Sequence, residues 1–183
     1  MSEVLAFIAV GFRHITDLAA MDHILFLVAL AAIYRGRDWR AALWVVSAFT
    51  IGHSITLALA VTGAARLPTS LIEFLIPLTI LATGVDNLAG GLGGYRPLLA
   101  GIFGLVHGAG FANYLRSLFE GSIAAPLLGF NVGIELGQLV VLTAAGSVLA
   151  GLDLLLTQRR RTVLVSCAVV LAAAEMALER VPW

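Results

Sequence analysis

From residue 40 onward the chain repeats one pattern: an apolar run near bilayer-crossing length, then a short polar break. About 20 apolar helical residues cross the ~30 Å hydrocarbon core. Lipid offers the backbone no hydrogen-bond partner, so such runs fold as helices or as closed barrels. Strict alternation, the mark of a barrel strand, is missing here. Hydropathy predicts spans at 19–34, 40–62, 68–88, 97–117, 123–150 and 162–179. A short apolar helix over 3–17 precedes them and either crosses or re-enters the membrane. The expected fold is all-α: a polytopic integral membrane helical bundle of about six transmembrane helices, residues 1–183 forming a single transmembrane domain. The run over 123–150 is longer than a bilayer needs and predicts tilt.

Composition agrees with a chain that lives in lipid. Of the 183 residues 60% are hydrophobic and 12% charged, against roughly 25% charged in soluble domains. Mean hydropathy is +1.00. Net charge is zero, which argues against a nucleic-acid partner. The single cysteine, Cys167, excludes an internal disulfide and a multi-cysteine metal site. Glu3 stands where a signal peptide carries a basic residue, so the N-terminus is expected in the mature protein. No sequence repeat is apparent, and hydropathy alone shows no inverted repeat.

Loop charges set an expected orientation. Arg35, Arg37 and Arg40 crowd loop 35–40, and Arg159, Arg160 and Arg161 crowd loop 158–161. Four spans separate the two, so they share a side, which the positive-inside rule makes cytoplasmic. Arg96 joins them there, while Arg66, Arg116 and the C-terminus fall outside. In this scheme the stretch HITDLAAMDH, residues 14–23, forms the external mouth of the span over 19–34.

The informative residues are the polar ones that lipid should exclude. A charged side chain at mid-membrane costs about 2.5–3.5 kcal/mol on insertion scales, and such groups normally face a bundle interior or a wet cavity. All four histidines, His14, His23, His53 and His107, lie in or beside apolar runs. One buried histidine can serve as a hydrogen-bonded tie between helices; four together point to a site. His14 and Asp17 share a helical face, and Asp22 precedes His23. Asn131, Glu135 and Gln138 form one face of a later helix, a polar lane that could equally be glue between helices. Ser54 neighbours His53, Asp86 nears the cytoplasmic end of its span, and Glu73 reads as a solvated end charge. Imidazole suits nickel, cobalt, zinc and copper, whereas carboxylates suit harder ions. A metal-bound histidine usually donates its second ring nitrogen to a carboxylate or carbonyl. The set His14, Asp17, Asp22, His23, His53, His107 and Glu135 therefore reads as a divalent transition-metal site, supported by Ser54, Asp86, Asn131 and Gln138.

The segments DHILFLVAL, FTIGHSITLALA, FGLVHGAGFA and GFNVGIELGQL, in that order, resemble the HupE/UreJ family of hydrogenase and urease accessory membrane proteins. The similarity runs from about Gly11 to Gln138. It implies a multi-pass protein of the bacterial inner membrane, a nickel or cobalt permease, and a link to a metalloenzyme maturation system. Carried over motif by motif, it implies His14, Asp22, His23, His53, His107 and Glu135 as functional residues. Seven residues separate His14 from Asp22, a wider spacing than the nickel branch shows. Copper and zinc thus stay open beside nickel and cobalt.

Three functions compete. A permease for a divalent metal comes first; with no Gly-x-x-x-x-Gly-Lys-Ser/Thr segment it would not be an ATP-driven pump by itself. An intramembrane zinc-dependent hydrolase would need three ligands and an open position for water, which the inventory can supply. No His-Glu-x-x-His segment favours it. The third is a non-transporting accessory protein that binds metal and hands it on. Expectation leans away from an enzyme.

Overall fold

The computed structural model describes residues 3–18, 20–65, 68–90, 93–118 and 123–182, with the side chains at 113, 114, 116 and 117 excepted. Arg66 and the Arg116 side chain, assigned above to external loops, lie outside the described residues. Among the described residues the chain is all helical. Seven α-helices follow in order: α1 Glu3–Thr16, α2 Met21–Ala31, α3 Trp39–Val61, α4 Thr69–Ala89, α5 Arg96–Ser117, α6 Ala124–Leu152 and α7 Gln158–Glu179.

Four of these, α3 with its leading turn, α4, α6 and α7, are long and apolar enough to cross a membrane. The expected span over 19–34 is different. Its helix α2 has only 11 residues, about 16 Å at 1.5 Å per residue, half a bilayer. α1 and α2 are long and apolar enough to cross only as a pair, and the pair is bent by 69°. The expected span over 97–117 is helical for 22 residues, as α5, and part of its C-terminal end lies outside the described side chains. Among the described residues four helices, or five with the bent α1–α2 pair, are long and apolar enough to cross a membrane, against the six expected.

Local chemistry sets the ends. α4 stops at Gly90, whose φ of +109° is the left-handed cap conformation that a residue without Cβ adopts freely. Thr157 caps α7 by accepting from the Arg160 amide. Pro77 lies buried inside a continuous α4.

The pairing of helices reveals a duplication that hydropathy misses. A Cβ at Gly11 on α1 would strike the Phe130 carbonyl and reach Ile134 on α6. A Cβ at Gly52 on α3 would strike the Gly101 carbonyl and reach Leu105 on α5 in the same way. Conversely, Gly133 on α6 abuts Ile8, and Gly104 on α5 abuts Phe49. Residue numbers rise together in both pairs, so α1 runs parallel to α6 and α3 parallel to α5. The α5 segment PLLAGIFGLVHG (97–108) and the α6 segment PLLGFNVGIELG (126–137) match at five of twelve positions, two of them these close-packed glycines. Polar bonds cross between the pairs: Thr50 donates to Gln138 Oε1 at 2.9 Å, and Ser54 lies 2.8 Å from Asn131 Oδ1. The paired numbers fall as they rise, so α3 and α6 are antiparallel. The two pairs thus pack alike and run in opposite senses.

At one end of the bundle the arginine-rich loops meet. Arg161, almost fully buried, donates to the carbonyls of Ala32 and Tyr34 and to Asp153. Arg159 donates to the Leu88 carbonyl, and Gln158 to that of Ile33. These bonds gather the loops after α2, α4 and α6 on one side, as the charge pattern requires.

Candidate metal centre

Four helices each bring one imidazole to a common point. His14 comes from the last turn of α1, His23 from the first turn of α2, His53 and His107 from the middles of α3 and α5. Ring centroids are 4.5 Å apart for His14–His23, 6.0 Å for His14–His53, 6.3 Å for His23–His53 and 5.3 Å for His23–His107. His14 and His23, on either side of the bend between α1 and α2, therefore lie beside the middles of α3 and α5.

Hydrogen-bond partners fix which ring nitrogens stay bare. Asp22 Oδ1 accepts from the His23 amide at 3.0 Å and from His23 Nδ1 at 3.2 Å. A carboxylate only accepts, so the proton of His23 sits on Nδ1 and its Nε2 carries a free lone pair. Thr79 spends its hydroxyl proton on the Ile76 carbonyl at 2.7 Å. Its oxygen must then accept from His107 Nε2 at 2.9 Å, which leaves Nδ1 bare. His23 Nε2, His107 Nδ1, His14 Nε2 and both nitrogens of His53 are buried without a partner. An orphaned buried polar atom costs about 1–3 kcal/mol, so this arrangement is expensive unless something fills it. One ligand atom each from His14, His23 and His53 lies within 4.8 Å of the other two. Two nitrogens bound at 2.0–2.1 Å are at most about 4 Å apart, so a small inward shift would let all three hold one ion. The donor set, neutral imidazole with a carboxylate behind it, fits nickel, cobalt, zinc or copper.

Rings wall the cluster in. His14 lies 3.9 Å from Phe111 and 5.6 Å from Phe130, centroid to centroid; His107 lies 5.1 Å from Phe49 and 5.3 Å from Phe26. On one side the wall opens to a cavity of about 670 Å³ lined by His14, Asp17, Asp22, His23, Glu73, His107 and Arg180. It lies at the end away from the arginine-rich loops, where α4 begins and α7 ends. Arg180 reaches to 3.5 Å from Asp22 Oδ2.

The remaining candidates are placed as follows. Asp17 lies just past the end of α1 and lines the cavity with Glu73, both exposed. Glu135 is half-buried beside Thr50, outside the imidazole triad. Gln138 and Asn131 face α3 hydroxyls and join α3 to α6, with Ser54 as the second partner. Asp86 is bonded to Arg96. Thr79 was not singled out from the sequence. Its signal was present in Thr79, Thr83 and Asn87, spaced four apart on one helical face.

Fold and site together define a polytopic helical membrane protein with a buried imidazole cluster suited to a transition-metal cation. The chain belongs to the family described as HupE / UreJ protein, whose model matches residues 1–180. That family suggests a nickel or cobalt accessory or transport role. No curated protein and no solved structure matches the chain.

Proposed function

We propose that the protein is a membrane permease for a divalent transition metal, with nickel or cobalt the cargo that the family favours. The observation that carries this reading is the convergence of bare nitrogens from His14, His23 and His53 beside a 670 Å³ cavity open at one end of the bundle. The cavity admits a hydrated ion, its three carboxylates Asp17, Asp22 and Glu73 outnumber its two arginines, Arg13 and Arg180, and the imidazoles replace part of the ion's water. Transport needs sites weak enough to release the ion and more than one of them. His107, whose ring lies 5.3 Å from that of His23, supplies the next donor. By the positive-inside rule the arginine-rich end is cytoplasmic and the cavity external, in the bacterial inner membrane that the family implies. A maturation system for a metalloenzyme would receive the ion.

One observation favours a second reading. Three imidazoles beside an open cavity also match a catalytic zinc site with a free position. Nickel or cobalt influx into proteoliposomes, measured with a metal-sensitive dye and repeated with His23→Ala, separates the readings. Influx that the variant abolishes supports the permease. Tight stoichiometric zinc with no influx of any metal refutes it.

A further inference from the structure

Beyond the imidazoles α4 carries a second polar line. Thr79, Thr83 and Asn87 are all buried on one face of the helix. The line starts at Thr79, bonded to His107, and ends at Asn87, which accepts from Arg96 at 2.7 Å. Beside it lies a cavity of about 190 Å³, where Thr83, Asp86 and Arg96 meet the apolar Leu30, Leu99 and Phe103. Phe26 lies between Phe103 and the cluster, its ring 5.3 Å from that of His107 and 6.3 Å from that of Phe103. On the far side the cavity is closed by Arg96, which also borders a 730 Å³ cavity at the arginine-rich end.

We infer that this line is the onward path of the cation, with Phe26 as an apolar barrier and the Asp86–Arg96 pair as the gate at its far end. The inference rests on the permease reading. Three observations carry it: a polar face leaving the metal cluster, a cavity beside its far half, and a buried ion pair standing between that cavity and the one at the arginine-rich end. Arg96 donates to Asp86 Oδ2 at 2.6 Å, and its side chain is only 6% exposed. A guanidinium fixed across a narrow path repels a divalent ion. If Arg96 swings into the far cavity, the Asp86 carboxylate is left to accept the incoming cation. One cation replaces another on the same carboxylate, so the acid is never left buried and unpaired, the costly case.

The test uses the full chain with Cys167→Ser, so that Thr83→Cys carries the sole thiol. A positively charged, membrane-impermeant methanethiosulfonate is added to detergent-purified protein, and modification is followed by intact mass. Slow modification is expected with Arg96 in place, and at least tenfold faster modification with Arg96→Gln. Arg96→Lys keeps the charge, loses the planar fork and should fall between; it serves if Arg96→Gln does not elute as a single species. Equal rates in all backgrounds would overturn the gate. Nickel influx into proteoliposomes separates the two proposals. Influx in the wild type that Arg96→Gln leaves unchanged overturns the gate and spares the permease. Gated labelling in a protein without influx of any metal overturns the permease and with it the cation path.

Discussion

Asp22→Asn isolates what a carboxylate contributes from behind a histidine. In the wild type Asp22 Oδ1 accepts from both the amide and Nδ1 of His23. The side chain is 15% exposed, so solvent screens this contact little. The carboxylate fixes the tautomer and raises the basicity of the bare Nε2. Asparagine keeps the shape but loses the charge, and can turn its NH₂ toward the ring, favouring the wrong tautomer. Losing such a partner typically costs 10–100-fold in metal affinity, about 1.4–2.7 kcal/mol at 1.36 kcal/mol per decade. The second partner of Asp22 gives an internal comparison. The Arg180 side chain is 34% exposed and its nitrogen is 3.5 Å from Oδ2. An ion pair of that kind is worth at most about 1 kcal/mol, so Arg180→Gln should change affinity less than about fivefold. Calorimetric titration of nickel into the purified protein at neutral pH reads both. The expected result is unchanged stoichiometry, a Kd raised 10–100-fold by Asp22→Asn, and a much smaller change for Arg180→Gln. An Asp22→Asn variant within twofold of wild type would refute the assignment of Nε2 as the ligand atom that Asp22 orients.

Other outcomes follow from the same geometry. Thr79→Val leaves the His107 Nε2 proton without an acceptor and should lower stability by about 1–3 kcal/mol, read as a lower unfolding temperature in detergent with chelator present. Gly11→Ala and Gly52→Ala should each lower that temperature strongly and to a similar degree, since each Cβ meets a backbone carbonyl of the parallel partner. Gly146→Ala, whose Cβ meets nothing within 4 Å, should be neutral or stabilising by roughly 0.5–1 kcal/mol; equal loss in all three would refute the close-packed pairing. Glu135→Gln should leave metal stoichiometry intact, because Glu135 lies outside the triad. A lost equivalent by mass spectrometry would place it among the ligands. If Glu135 couples transport to protons, the same variant should flatten the pH dependence of influx.

Much of the site was legible because lipid is intolerant. An imidazole or carboxylate inside an apolar run stands out by its cost, so His14, Asp22, His23, His53 and His107 could be named before their positions were known. Their depth could not. The residues between His14 and His23 include Ile15, Leu18 and Met21, apolar enough that hydropathy averages across the break instead of locating it. Hydropathy therefore placed a span over 19–34, where the structure has the 11-residue α2 preceded by a bend. The likeness of the two parallel pairs escaped for a related reason. What the two pairs share is the placement of a few glycines against a neighbouring backbone, while the residues between them are free to differ. Asp86 carried a readable charge, but its partner Arg96 lies ten residues on, across a loop, and only the fold brings them together.

The parallel pairing has a consequence for how the chain is made. Two parallel neighbours cannot be consecutive spans, so each waits for a partner synthesised later. α3 waits for α4 to be completed before α5 arrives. α1 waits longest: it ends at Thr16, and its partner α6 begins at Ala124. At about 5–20 residues per second, the ribosome needs on the order of ten seconds to cover that interval. Throughout it Gly11 and its neighbours face lipid or another protein, and the His14 end of the metal centre has no wall. The centre is therefore among the last parts of the molecule to close.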